Sequence, residues 1–228
     1  MLVLTDLTRF KDNDNVCMAL LDENNCHCYR PLPYADRDFV SLNNIRPGVT
    51  VSADVVPATE VNEPHVEDCL FENAVWQDRL DEESFHLLLQ RDAVDSVHEA
   101  FEGLVTPQNR CVPAGTPCCR SIRTVRIDPL SLSVSTSESE EGMKLRMGFT
   151  DVAGDRFRHT PIADLCFHAE ALRYAEQDRL DELNALLAGG ETVYIRIGLS
   201  RLYQSRSGKQ GFWMQANGIY VFPGCFLG

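Results

Sequence analysis

The sequence predicts a mainly β protein with helices, built as two five-stranded barrels in tandem, and three observations carry that expectation. Apolar and polar residues alternate at period two over residues 49–61 and 120–135, the pattern of half-buried strands, and further short apolar segments between turn residues read as strands. Only two stretches, residues 81–102 and 164–188, switch to a helical period. A chain of 228 residues also has room for two domains of roughly 100 to 120 residues, each large enough to bury its own core.

In the N-terminal half, residues 1–10 and 15–21 read as strands around the turn Lys11-Asp12-Asn13-Asp14, and residues 26–31 as a third piece after Asp22-Glu23-Asn24-Asn25. Residues 49–61 alternate as another strand. A helix or helices follow over 81–102, with Leu87, Leu88, Val94, Val97 and Phe101 on the apolar side and Gly103 as the stop. Residues 107–119 are rich in Pro, Gly and Cys and read as a linker, which divides the chain into an N-terminal barrel with a helical insertion (1–112) and a C-terminal barrel (113–228).

The C-terminal half is more regular. Residues 120–135 form a strand with a bend at Pro129, residues 137–142 a Ser/Glu turn, 143–150 a strand, 151–155 a turn and 156–162 the returning strand. The helix over 164–188 carries Leu165, His168, Leu172 and Leu183 on one face, with a break near Gln177-Asp178 and a stop at Gly189-Gly190. Strands 192–201 and 211–222, joined by the polar turn 205–209, complete the domain. The order of three strands, helix and two strands is that of an oligonucleotide-binding (OB) fold, a five-stranded Greek-key barrel. A short echo between Leu7-Thr8-Arg9-Phe10 and Leu199-Ser200-Arg201-Leu202 supports two related OB-fold-like five-stranded barrels in tandem.

Composition narrows the function. No stretch approaches the length of a spanning helix, the start lacks a basic leader, and nine cysteines without an export signal fit a reducing compartment, so a soluble cytoplasmic protein with no membrane partner is expected. Cys26-His27-Cys28 and the group Cys111, Cys118 and Cys119 lack the paired spacing of zinc sites, and no metal or cofactor is expected. Phosphate loops, dinucleotide fingerprints, nucleophile elbows and HExxH are all absent, which points away from an enzyme. In Glu63-Pro64-His65-Val66-Glu67-Asp68 a His stands beside three carboxylates, and a Pro-His turn with solvated acids is the simplest account. The net charge of -13 opposes a sequence-blind grip on phosphates, so any nucleic acid must be met by a local cationic groove.

Several segments resemble a family of prokaryotic proteins described as dual OB domain-containing proteins, found near genome-defence and DNA-processing genes. They are Thr5-Asp6-Leu7-Thr8-Arg9, Tyr29-Arg30-Pro31, Pro64-His65-Val66-Glu67-Asp68, Ile197-Gly198-Leu199-Ser200-Arg201 and the run from Trp213 to Pro223. The resemblance implies two OB barrels, a nucleic-acid-binding role in a defence or DNA-processing system, and a protein partner encoded nearby.

Single strands are held by cations that follow phosphates and by rings on which bases stack. Arg201, Tyr203, Arg206 and Lys209 near the turn before the last strand meet that need, with Arg146, Arg156 and Arg158 on the central hairpin, and Arg9, Lys11 and Arg30 in the first barrel. Trp213 and Tyr220 are spaced to face opposite sides of the last strand. Gln215 and Asn217 share the Trp213 face and could read a base edge, or Asn217-Gly218 could form a bulge. The expected function is an adaptor for single-stranded or modified DNA or RNA. The alternatives are an acidic module that docks a basic protein, and a pocket for a nucleotide or another small ligand.

Overall fold

The computed structural model describes residues 1–11, 13–60, 62–139, 142–205 and 208–224. Its first seven elements are β1 (Leu2–Arg9), β2 (Asn15–Asp22), β3 (Cys28–Leu32), β4 (Ala35–Asp36), α1 (Arg37–Leu42), β5 (Val49–Pro57) and β6 (Asp68–Arg79). Five of these strands close a mixed barrel in the order β1-β5-β6-β3-β2-β1, in which only β3 and β6 run parallel. The turn between β1 and β2 is set by Asn13, whose side chain accepts from the Asn15 amide at 2.9 Å. Leu2, Leu4, Leu7, Val16, Met18 and Leu20 fill the interior.

A register shift between Leu4 and Asp6 bulges β1. One residue is consumed, so Leu7 stays inside while Asp6 turns outward from the barrel. The sequence reading missed β6. Its residues 72–75 and 77–79 are exposed, so no apolar alternation marks them, and the strand exists because β5 offers it a hydrogen-bonding edge.

Between the halves lie α2 (Glu82–Asp92), α3 (Val97–Ala100) and β7 (Cys111–Pro113). The helical stretch divides where Ser96 caps α3 by accepting from the Glu99 amide and Val94 bridges to Val125. The stretch read as a linker contains β7, which pairs with the last strand, so the division at 112/113 falls inside a paired strand.

The second half comprises β8 (Ile122–Ile127), a single 3-10 turn at Pro129–Ser131, β9 (Ser133–Ser139), β10 (Gly142–Thr150), β11 (Arg156–Pro161), α4 (Leu165–Glu176), α5 (Leu180–Ala188), β12 (Thr192–Leu199), β13 (Tyr203–Gln204) and β14 (Gln210–Phe222). The expected bend at Pro129 and the helix break beside Asp178, which has a φ of 56°, are both present. Closure is not. The Pro129 turn sends β8 to pair with β12 and β9 to pair with β10, leaving a three-stranded sheet and a five-stranded one joined by the isolated bridges Ile127–Asp151 and Ile162–Ala216. The second domain is therefore an open, curled half-barrel, and the expectation of two closed barrels is corrected to one. The four-residue echo falls on the end of β1 in the barrel and, in the second half, on Leu199 at the end of β12 and the connection after it, which are not equivalent positions.

The free edge of β9 is closed at one point by Asn184 of α5, whose amide accepts from the Val134 N–H at 2.7 Å and donates to its carbonyl at 3.0 Å. Helix α2 lies between the halves, where Phe85, Leu88 and Leu89 pack with Val3 and Leu21 on one side and Tyr194, Tyr220 and Phe222 on the other. Among the described residues no helix is long and apolar enough to cross a membrane.

Candidate nucleic-acid interface

Most of the sequence motifs meet at the junction of barrel and half-barrel. A bulge between β12 and β14 skips Asn217, so the opposed pairs are Arg196 with Gly218 and Ile197 with Ala216. Arg196 thereby points at the bulge of β1, where Nε donates to Asp6 Oδ2 at 2.9 Å while Nη1 donates to Asp92 Oδ2 at 2.7 Å and Thr124 Oγ1 at 3.1 Å. Tyr220 donates its hydroxyl proton to the Thr5 carbonyl. The same bulge reverses side-chain parity along β14: Met214, Ala216, Ile219 and Val221 all enter the half-barrel core. Trp213 and Tyr220 consequently lie on the same outer face, not on opposite ones.

A second polar group lies beside it. Arg30 Nη1 donates to Ser121 Oγ at 2.7 Å, and Ser121 donates in turn to Glu67, with its hydroxyl at 2.8 Å and its amide at 2.7 Å. Arg201 holds Asp68 through two bonds of 2.6 and 2.9 Å, and its guanidinium lies 5.5 Å from the centre of the Tyr34 ring. His65 is buried, with Nε2 3.3 Å from the Leu199 carbonyl oxygen and its ring edge-on to Phe212. Burial, together with the charges of Arg30 and Arg201, pushes its pKa down to about 3. Glu67 and Asp68 are buried too, so the turn with solvated acids read from the sequence is corrected to a structural seam. Arg30 and Arg201 thus stand side by side, both facing Asp68.

Other candidates gather at the far end of β14. Tyr203 is 58% exposed, and its carbonyl accepts from the Trp213 ring N–H at 3.3 Å. Lys209 sits 5.7 Å from the Trp213 ring centre and donates to Asn109 Oδ1 at 2.8 Å. The next residue, Arg110, donates to the Arg158 carbonyl on β11. Partial burial and the charge of Arg110 together lower the pKa of Arg146 on β10. On that sheet Leu145, Met147 and Phe149 face the core, which leaves Arg146 on the outer face, and the register sets exposed Ser133, Ser135 and Ser137 of β9 opposite Gly148, Arg146 and Lys144. Among the described residues Arg146, Arg156 and Arg158 have no ion-pair partner.

The remaining candidates are dispersed. Gln215 donates to Asn217 Oδ1 at 2.9 Å, and Asn217 lies over Gly198, where an added Cβ would meet its Nδ2 at 2.2 Å. Arg9 stands at the end of β1 near Arg37 and away from the β14 group. Arg206 lies outside the described residues. Sequence reasoning missed Asn109 and Arg110, which bridge Lys209 to the β10–β11 sheet, because they fall in the stretch read as linker. It also missed Arg196, a cation inside an apolar alternation whose burial needs partners from three distant segments. Among the described residues no three His, Cys, Asp or Glu side chains gather as metal ligands. Comparison with known proteins finds no matching family model, no matching curated protein and no matching solved structure.

Proposed function

We propose that this protein is a non-enzymatic adaptor that binds single-stranded nucleic acid across the outer face of β9, β10 and β11 and the adjoining β13–β14 hairpin. The observation that carries the reading is the run of rings and cations from Tyr203 and Trp213 through Lys209 and Arg110 to Arg146 and Arg158, of which Tyr203, Lys209 and Arg158 are exposed and the others half-buried, in a chain whose net charge is -13. A surplus of acid elsewhere would ordinarily pair such cations, and the absence of an ion pair at Arg146 and Arg158 among the described residues leaves them available to phosphates. Trp213 and Tyr203 offer faces for stacking, and the serine hydroxyls of β9 can donate to phosphate oxygens. The element order is compatible with an OB-like reading, since α1 follows β3 and β4 in the closed barrel and α4 and α5 follow β11 in the open half. Membership of a defence or DNA-processing system, with a neighbouring protein partner, belongs to the same proposal.

The test is a fluorescence-anisotropy titration of labelled oligothymidylate and oligouridylate at low and moderate salt. Binding should weaken as salt rises, and Arg146→Glu with Arg158→Glu should lower the affinity and reduce the salt slope by about 0.7 for each phosphate no longer neutralised. No binding at low salt, where charges are least screened, removes this reading and favours a protein-docking module for a basic partner.

A further inference from the structure

Among the described residues, Arg9 and Arg46 have no ion-pair partner, and with Arg37 they stand apart from the cations of the β10–β11 face. A cleft of about 890 Å³ lies where the end of β1 and helix α1 of the barrel meet helix α4 of the half-barrel. Leu7, Val40, Ile45 and Leu165 give it an apolar wall. Arg37, Arg46 and Arg173 stand at its rim. Ligand pockets of a few hundred to about 1,000 Å³ favour such junctions between domains.

The charge at the rim is not neutralised. Arg173 is held by Glu170 at 2.5 Å, but the nearest carboxylate to Arg37 is Asp14 at 4.0 Å, and Arg46 has no ion pair among the described residues. Arg9 adds a further cation beside Arg37, and its Nε is buried without a hydrogen-bond partner. Of the titratable groups that line the cleft from α4, Glu170 is taken up by Arg173 and leaves Arg37 and Arg46 unmatched. Burial pushes the Cys166 thiol up to about 12, so it is neutral near pH 7. A second hollow of about 430 Å³ shares Ile45 and Arg46 with the cleft and adds Trp76 and Arg79. Crowding guanidinium groups is unfavourable, and a protein with 34 acidic residues had the means to avoid it.

We propose that this cleft binds a small amphipathic anion, an organic molecule with an apolar body and a single carboxylate or phosphate head. The body lies along Leu7, Val40, Ile45 and Leu165, and the head faces Arg46 and Arg37. Because the walls come from both halves, the ligand fastens barrel to half-barrel and raises the stability of the whole chain.

The experiment uses the full chain and anilinonaphthalene sulfonate, an aromatic anion whose fluorescence rises on transfer from water. The expected result is saturable binding of one dye to the folded protein, displaced by decanoate or decyl phosphate and not by decanol or inorganic phosphate. The stronger competitor identifies the head group. Arg46→Glu should weaken the dye about tenfold or more, the loss expected when a charge-assisted contact is removed. Ser41→Trp, at an exposed position on the rim, should block it without disturbing the core. Neither variant should alter oligothymidylate binding, which separates this site from the one on β10 and β11. Dye binding unchanged in both variants, displacement by decanol as strong as by decanoate, or light scattering that shows a dimer which Ser41→Trp dissociates would each overturn the proposal.

Discussion

Arg196 donates its Nε proton to Asp6 Oδ2 at 2.9 Å, and both side chains are entirely removed from solvent. Asp92 completes the group at 2.7 Å, so one guanidinium serves two carboxylates. Burial raises the pKa of Asp6 against the pull of Arg196. Removing the cation leaves Asp6 without an ion-pair partner in a dry junction, while Asp92 keeps Arg123 at 3.1 Å. Arg196→Met should therefore destabilise the fold by about 3–5 kcal/mol in urea unfolding. Adding Asp6→Asn and Asp92→Asn to that variant should restore part of the loss. A single variant as stable as the parent would show that the junction is wet.

The paired bonds from Arg201 to Asp68 require a planar fork, which lysine lacks. Arg201→Lys should lose part of the interaction, and a double-mutant cycle with Asp68→Asn should report a coupling of about 1.5–3 kcal/mol. Additive losses would mean that the pair contributes nothing to stability.

Gly198 is required by its neighbour across the strands. An added Cβ would come within 2.2 Å of Asn217 Nδ2, so Gly198→Ala should destabilise by about 1–3 kcal/mol. Asn217→Ala should rescue most of that loss, measured as a recovered thermal midpoint. Failure of the rescue would place the strain in the backbone.

Acid should weaken the protein through its histidines. His65 has its pKa pushed down to about 3 and His168 to about 4, against an ordinary 6.5. Below 6.5 the unfolded chain takes up protons that the folded chain refuses. Their stabilisation is therefore complete above pH 6.5 and declines as the pH falls towards 4 and below. Asp164 acts in the opposite sense: burial pushes it up to about 7 from 3.8, so its contribution is complete below 3.8 and is lost as the pH rises through 7. Urea midpoints between pH 4 and 7 should show a shallower acid decline in His65→Gln and a steeper one in Asp164→Asn. An unchanged slope in His65→Gln would contradict the burial of that ring.

The second half was the more legible in the sequence where a strand buries one face, as the alternation of Leu145, Met147 and Phe149 on β10 shows. Strand β6 left no such trace, since hydrogen bonding and not burial defines most of its length. The Pro129 bend was visible, but its effect on closure was not, because that depends on which neighbour each arm of the strand finds. Of the candidate site residues, Tyr203, Lys209 and Trp213 share a surface. Arg30 and Arg201 share an acid in the seam. A strand-end arginine looks the same in sequence whether it faces solvent or a buried carboxylate, and only the fold of the other half decides.

The amide of Asn184 makes at Val134 the two main-chain bonds that a strand neighbour would make. An unclosed sheet is a template on which foreign strands can polymerise. With that rung already occupied, an incoming strand has to start at Thr136 and pass the carboxylate of Glu138, which leaves it too short a ladder to hold. One side chain therefore blocks this edge of the half-barrel to an incoming strand.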